Sequence, residues 1–170
     1  MQLVGHLLLH GTVFGVLLTV YLLAVMRFLS PRIWAMSDYP KEITDRVPPQ
    51  TDSERRTASL GFVPFLILGL GFPIISTLML ESALGGTISL LDAFLNTFGI
   101  MMFGNFADLV ILDWLIVGTI TPDWVIIPGT EDMRDTAYKD FRVYHGKGHI
   151  WGTIAMALIS LILAAAISFL

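Results

Sequence analysis

His145 and His149 stand one helical turn apart, at i and i+4, and Asp113 lies upstream of them. Two imidazoles on one helix face plus a carboxylate can ligate a divalent cation, or serve as acid and base on a bound substrate. His6 and His10 repeat the spacing near the start of the chain. Asp92 and Asn96, also i and i+4, fall at matching depth on a later segment. That outer set (His6, His10, Asp92) has the donors for Zn²⁺ or a similar ion, and imidazoles near neutrality can also relay protons. Asn105 and Asp108 form a third polar group at i and i+3, with Tyr21 at a compatible depth as a partner. At about 100° per residue in an α-helix, Asp113 is turned roughly 140° from Asp108, so the two acids are expected to face different neighbours. Each set also has a plainer use: histidines that hydrogen-bond across helices, and a buried Asp that only fixes packing.

The elements that hold these residues follow from hydropathy. The chain is 170 residues long, 55% hydrophobic and only 14% charged, where soluble proteins carry about 25% charged residues. Its mean hydropathy is +0.74. Four stretches, about 3–26, 57–80, 91–117 and 150–170, reach the roughly 20 apolar residues that cross a bilayer. Lipid satisfies no backbone groups, so the segments are predicted to be helices. The expectation is an all-α, polytopic membrane protein of one domain, 1–170: four transmembrane helices in an up-down bundle, with N and C termini external. Pro64 and Pro73 should kink the second span. Gly11-x3-Gly15 and Gly148-x3-Gly152 are spaced for close helix approach.

Charge sets the orientation. All ten Lys and Arg lie within Arg27–Arg56 and Arg134–Lys147. Cytoplasmic loops retain basic residues, so the loops 27–56 and 118–149 are expected on the cytoplasmic side of the plasma (inner) membrane, in a multi-pass arrangement. Trp34, Trp114, Trp124 and Trp151 then fall near that interface. Ten acidic residues in the same loops cancel the basic ones; Glu81, Asp92, Asp108 and Asp113, in or beside apolar segments, account for the net charge of −4. Balanced loops argue against nucleic acid as a partner. There is no cysteine, which excludes disulfides, thiolate metal sites and thiol catalysis. The first residues lack the basic region of a cleaved signal peptide. Nucleophile-elbow, zinc-protease and dinucleotide fingerprints do not occur.

Within the loops, Phe28–Met36 suggests a short interfacial helix with Pro31 in its first turn. Trp124–Pro128 suggests a strand-like or membrane-skimming piece. The polar runs 129–132 and 138–142 could bind a headgroup or simply face solvent with local ion pairs. His10 lies about 16 residues, or roughly 24 Å, from the cytoplasmic end of its span. No single metal bridges the outer and inner histidines, and the same depth mismatch disfavours a bis-histidine haem. A divalent metal is therefore the candidate cofactor, at His6, His10 and Asp92 or at Asp113, His145 and His149. The functional expectation is a transport, channel or proton-relay subunit built on an intramembrane polar cluster. The alternatives are a membrane-embedded metalloenzyme acting on a lipid-like substrate, and a non-catalytic assembly subunit. Expected partners are the lipid bilayer and either further copies of the chain or another membrane protein.

Overall fold

A computed structural model describes residues 2–169; Leu170, the expected end of the fourth span, lies outside them. Four long helices carry the fold: α1 (Gln2–Phe28), α2 (Asp52–Ala83), α3 (Leu90–Ile120) and α4 (Ala137–Ser168). Each is long and apolar enough to cross a membrane, and no strand occurs among the described residues. Large apolar side chains such as Val16, Ile75 and Ile162 point outward, as they would in helices packed against lipid. α3 is the central element, packed against α1 on one side and α4 on the other.

Glycine sets the α1–α3 approach. A Cβ on Gly11 would stand 2.5 Å from the Phe103 ring, and one on Gly104 would stand 2.5 Å from Phe14. The pair Gly11-x3-Gly15 is thus a packing motif. Gly148 is different: a Cβ there meets nothing within 4 Å.

α2 opens on a capping box, with the Thr51 hydroxyl accepting from the Glu54 N–H and the Glu54 carboxylate accepting from the Thr51 N–H. Its course is interrupted by a π-helical turn at Ile67–Gly71. Pro73 explains the turn: proline has no N–H to donate and its ring crowds the carbonyl four residues back. A widened turn accommodates both. The expected disturbance at Pro64 and Pro73 therefore takes the form of a π-turn between them.

α3 changes character midway. Leu90–Ala107 is α-helical, whereas Asp108–Ile120 is π-helical. Thr121 ends it in the left-handed region at φ 49°, with its N–H bonded to the Ile116 carbonyl at 2.8 Å. The freed carbonyls are capped by basic side chains from the start of α4 and from the turn just before it. Lys139 Nζ donates to the Thr119 carbonyl at 2.8 Å, and Arg134 donates to the Thr121 carbonyl at 2.9 Å. Arg142 donates to the Thr119 hydroxyl. Cations at a helix C-terminus also complement its dipole. Arg134, Lys139 and Arg142 are thus committed to the end of α3.

This capping accounts for a shifted boundary. Charge in 137–149 removes that stretch from an apolar span, and the expectation left it in the loop. The structure makes it the first turns of α4. Lys139 and Arg142 lie on its capping side, and nothing in the stretch breaks a helix.

The two loops form one cap over the same end of the bundle. Ala35, Tyr39 and Ile43 of the first pack with Val125, Ile127 and Met133 of the second, and with Tyr138 and Phe141 of α4. Fully burying such side chains contributes about 1.5–3 kcal/mol each. The Tyr39 hydroxyl donates to the Val125 carbonyl at 2.9 Å, and the Ile127 N–H donates to the Tyr138 hydroxyl at 2.9 Å. Burial holds the Tyr39 phenol well above its ordinary pKa, so it stays a neutral donor. The short helix expected in the first loop is present as Pro31–Trp34, with Pro31 at its start and Ser30 capping it. Trp124–Pro128 is not a strand: a 3-10 turn, Asp123–Val125, leads into buried Ile126 and Ile127. The Glu131 carboxylate accepts from the Gly129 N–H at 3.0 Å, which holds its pKa below the usual value. Glu131 therefore serves its own turn.

Candidate functional site

Because α4 begins at Ala137, His145 and His149 sit on helix rather than loop, one turn apart and facing α3. Both address the same carboxylate oxygen. Asp113 Oδ2 lies 2.7 Å from His145 Nδ1 and 2.8 Å from His149 Nε2. One ligand atom from each of these three residues falls within 4.8 Å of the others, and they form the one such group of His, Asp and Glu among the described residues. Asp113 and His145 are buried and His149 is nearly so.

The outward nitrogens of both imidazoles are occupied as well. His145 Nε2 is 3.1 Å from the Asp38 carbonyl oxygen, and His149 Nδ1 is 2.5 Å from Asn105 Oδ1. A carbonyl oxygen can only accept, so each of these nitrogens carries hydrogen. Asn105 is held in turn by Thr153, whose hydroxyl accepts from Asn105 Nδ2 at 3.2 Å. With the outer nitrogens protonated, the neutral imidazoles turn their lone pairs toward Asp113. Two lone pairs and a carboxylate oxygen at hydrogen-bond distance repel unless positive charge lies among them. That charge is either two further protons or a cation. The arrangement matches metal-ligating histidines, whose second nitrogen is fixed by an oxygen acceptor.

The π-helical part of α3 corrects the expected separation of the two acids. In a π-helix the N–H bonds five residues back, so residues five apart, such as Asp108 and Asp113, face the same way. Asp108 Oδ2 comes within 4.0 Å of His149 Nε2. It has no hydrogen-bond partner among the described residues, and it lines a cavity. The partners expected for it are engaged elsewhere: Tyr21 donates to the Gly61 carbonyl, and Asn105 holds His149.

That cavity has a volume of about 930 Å³. Leu22, Leu29, Phe62 and Phe65 supply apolar wall, while Asp38, Asp108, Asp113, His145 and His149 form its polar end. Tyr21 lines it too. Asp38 is the participant that sequence reasoning passed over. It lies in an irregular loop, and only the folding of that loop over α4 brings it to His145. Its side chain is 56% exposed and lines the same cavity, where packed neighbours partly desolvate the carboxylate. That burial raises its carboxyl above the ordinary value, and the smaller attraction of His145 opposes the rise.

The outer set is not gathered in the same way. The His6 and His10 rings stack with centroids 3.8 Å apart. His6 Nε2 lies 3.0 Å from the Ser76 carbonyl and 2.9 Å from the Ser76 hydroxyl. Asp92 instead serves its own helix start, where its N–H and carboxylate both bond the Ser89 hydroxyl. Asn96 is buried and joins Thr77 and Thr97 in a polar knot between α2 and α3. The apolar layer of Phe14, Leu18 and Ile100 lies between this knot and the inner cluster.

Comparison with protein-family models, with curated proteins and with solved structures finds no match for this chain.

Proposed function

We propose that this chain is a multi-pass membrane protein that holds one divalent cation between Asp113, His145 and His149, and that the cation and Asp108 together serve a membrane-embedded enzymatic reaction. The supporting observation is the convergence of two imidazole lone pairs on Asp113 Oδ2, with both outer nitrogens fixed by oxygen acceptors. Two histidines and a carboxylate, with one side open to a cavity, form the donor set of catalytic zinc and of non-haem iron. A bound cation would supply Lewis acidity there. Asp108 faces the same cavity with its carboxylate uncommitted, in position to take and return a proton on a substrate. A transport or relay route is the competing use of these polar residues, and it would have to cross the apolar layer of Phe14, Leu18 and Ile100.

The test is elemental analysis of protein purified without chelator, followed by zinc titration of the stripped protein. The expected result is about one equivalent per chain, with binding lost in a His145→Ala/His149→Ala variant. No stoichiometric metal in the wild type, together with equal zinc binding by the variant, would overturn the reading.

A further inference from the structure

We infer that the 930 Å³ cavity is the binding site of a single-chain amphiphile with an uncharged, oxygen-bearing head, admitted sideways between α2 and α4. The inference rests on the proposed function for where the head points and for its lack of charge, but not for the amphiphile site itself.

The first half of α2 stands off from the bundle. None of the residues of Asp52–Leu66 is buried. It lies beside α1, where Tyr21 donates to the Gly61 carbonyl, and it barely meets α4. The gap between α2 and α4 belongs to the cavity. Ala58 and Gly61 line it from α2, and Gly148 and Gly152 line it from α4. Gly148 does not serve helix packing here, since a Cβ on it would point into open space, and one on Gly152 would meet only the ends of the Met156 and Asn105 side chains, at 3.7 and 4.0 Å. The two glycines keep a slot clear.

The slot and the polar end differ in chemistry. Phe62, Phe65 and Leu29 offer a surface for a hydrocarbon chain, and the Asp113 cluster lines the same cavity. A site of this size suits a small amphiphile, with apolar walls and a few converging polar groups. Charge selects the head. Asp38, Asp108 and Asp113 line the cavity against a single ammonium, Lys147. One divalent cation would neutralise that excess. An anionic head would then bring an uncompensated charge into the cavity, whereas a hydroxyl or carbonyl oxygen would not.

The test uses the full chain in phosphatidylcholine nanodiscs with a long-chain fatty alcohol that carries a mid-chain diazirine. After photolysis, adducts are mapped by peptide mass spectrometry. Labelling is expected within 58–65 and 144–152. Gly148→Trp fills the slot without meeting protein atoms at its Cβ, and Gly148→Leu does so more mildly. Labelling there should drop at least about tenfold in the Trp variant, which is about 1.4 kcal/mol of binding, and by less in the Leu variant. The fatty acid carrying the same diazirine should label the slot less than the alcohol. Labelling confined to outward residues such as Val16 and Ile162, or slot labelling unchanged in both variants, would overturn the inference. Equal labelling by the acid would overturn the assignment of the head. Zinc content is read on the same samples: slot labelling without bound zinc leaves the amphiphile site standing and removes the cation reading together with the assignment of an uncharged head.

Discussion

Asp113 Oδ2 meets two imidazole nitrogens at 2.7 and 2.8 Å, and what surrounds them decides which nitrogen faces inward. Asn105 performs that task for His149 through its amide oxygen, 2.5 Å away. It touches no proposed ligand atom on Asp113, so it acts by positioning. Losing such an outer partner typically lowers metal affinity 10–100-fold. We expect Asn105→Ala to weaken zinc binding within about that range without abolishing it, whereas His149→Ala abolishes it. The pH dependence has a definite sign. Zinc needs the imidazoles unprotonated, so affinity should fall as pH is lowered from about 8 to about 5. The check is zinc titration of stripped wild type and Asn105→Ala across that range. An affinity flat with pH, or unchanged in the variant, would sink the positioning role.

At the level of helices, two devices build the site. One is the close approach of α1 to α3, which permits no side chain at Gly11 because the Phe103 ring occupies its place. Overpacking of this kind costs about 1–3 kcal/mol. Gly11→Ala should therefore lower the thermal unfolding midpoint in detergent. Gly5→Ala, on the same helix with nothing within 4 Å of its Cβ, should leave it unchanged or raise it, since alanine is the better helix former. Equal shifts in the two variants would show that the contact does not govern stability. The other device is the π-helical stretch Asp108–Ile120. It turns Asp108 toward the face of Asp113 and so supplies the site with a second carboxylate. π-helical turns occur often at functional sites, and this one contains both acids.

For the whole molecule, the decisive fact is that both basic loops fold into one cap. The bundle is thus polarised: the candidate centre lies under the cap, and Gln2, Ser168 and the 84–89 turn lie at the far end. If the chain sits in the membrane as its basic residues direct, the cap is cytoplasmic. The native chain has no cysteine, so single cysteines can report on this. Ser37→Cys and Asp132→Cys should react with a membrane-impermeant maleimide only after the cells are opened. Thr87→Cys should react in intact cells. Labelling of Ser37→Cys and Asp132→Cys from opposite sides would contradict the shared cap itself.

Some of this was legible in the residues alone. Four apolar runs separated by charged segments can only be long helices, because the hydrophobic pattern is local and lipid leaves the backbone no other choice. The i, i+4 spacing of His145 and His149 put both on one face, and charge placed Asp113 near the same end. Other features depended on contacts distant in sequence. The α4 start at Ala137 follows from basic side chains reaching the end of α3. The shared face of Asp108 and Asp113 follows from a π-helix, where counting in α-helical turns sent them apart. Asp38 joined the cluster because a loop folded over α4, and Asp92 stayed out because its own helix start claimed it. Periodicity and charge act between near neighbours and so can be read along the chain; which side chains finally meet depends on how helices cross and on which hydrogen bonds compete for each group, and only the folded molecule resolves that.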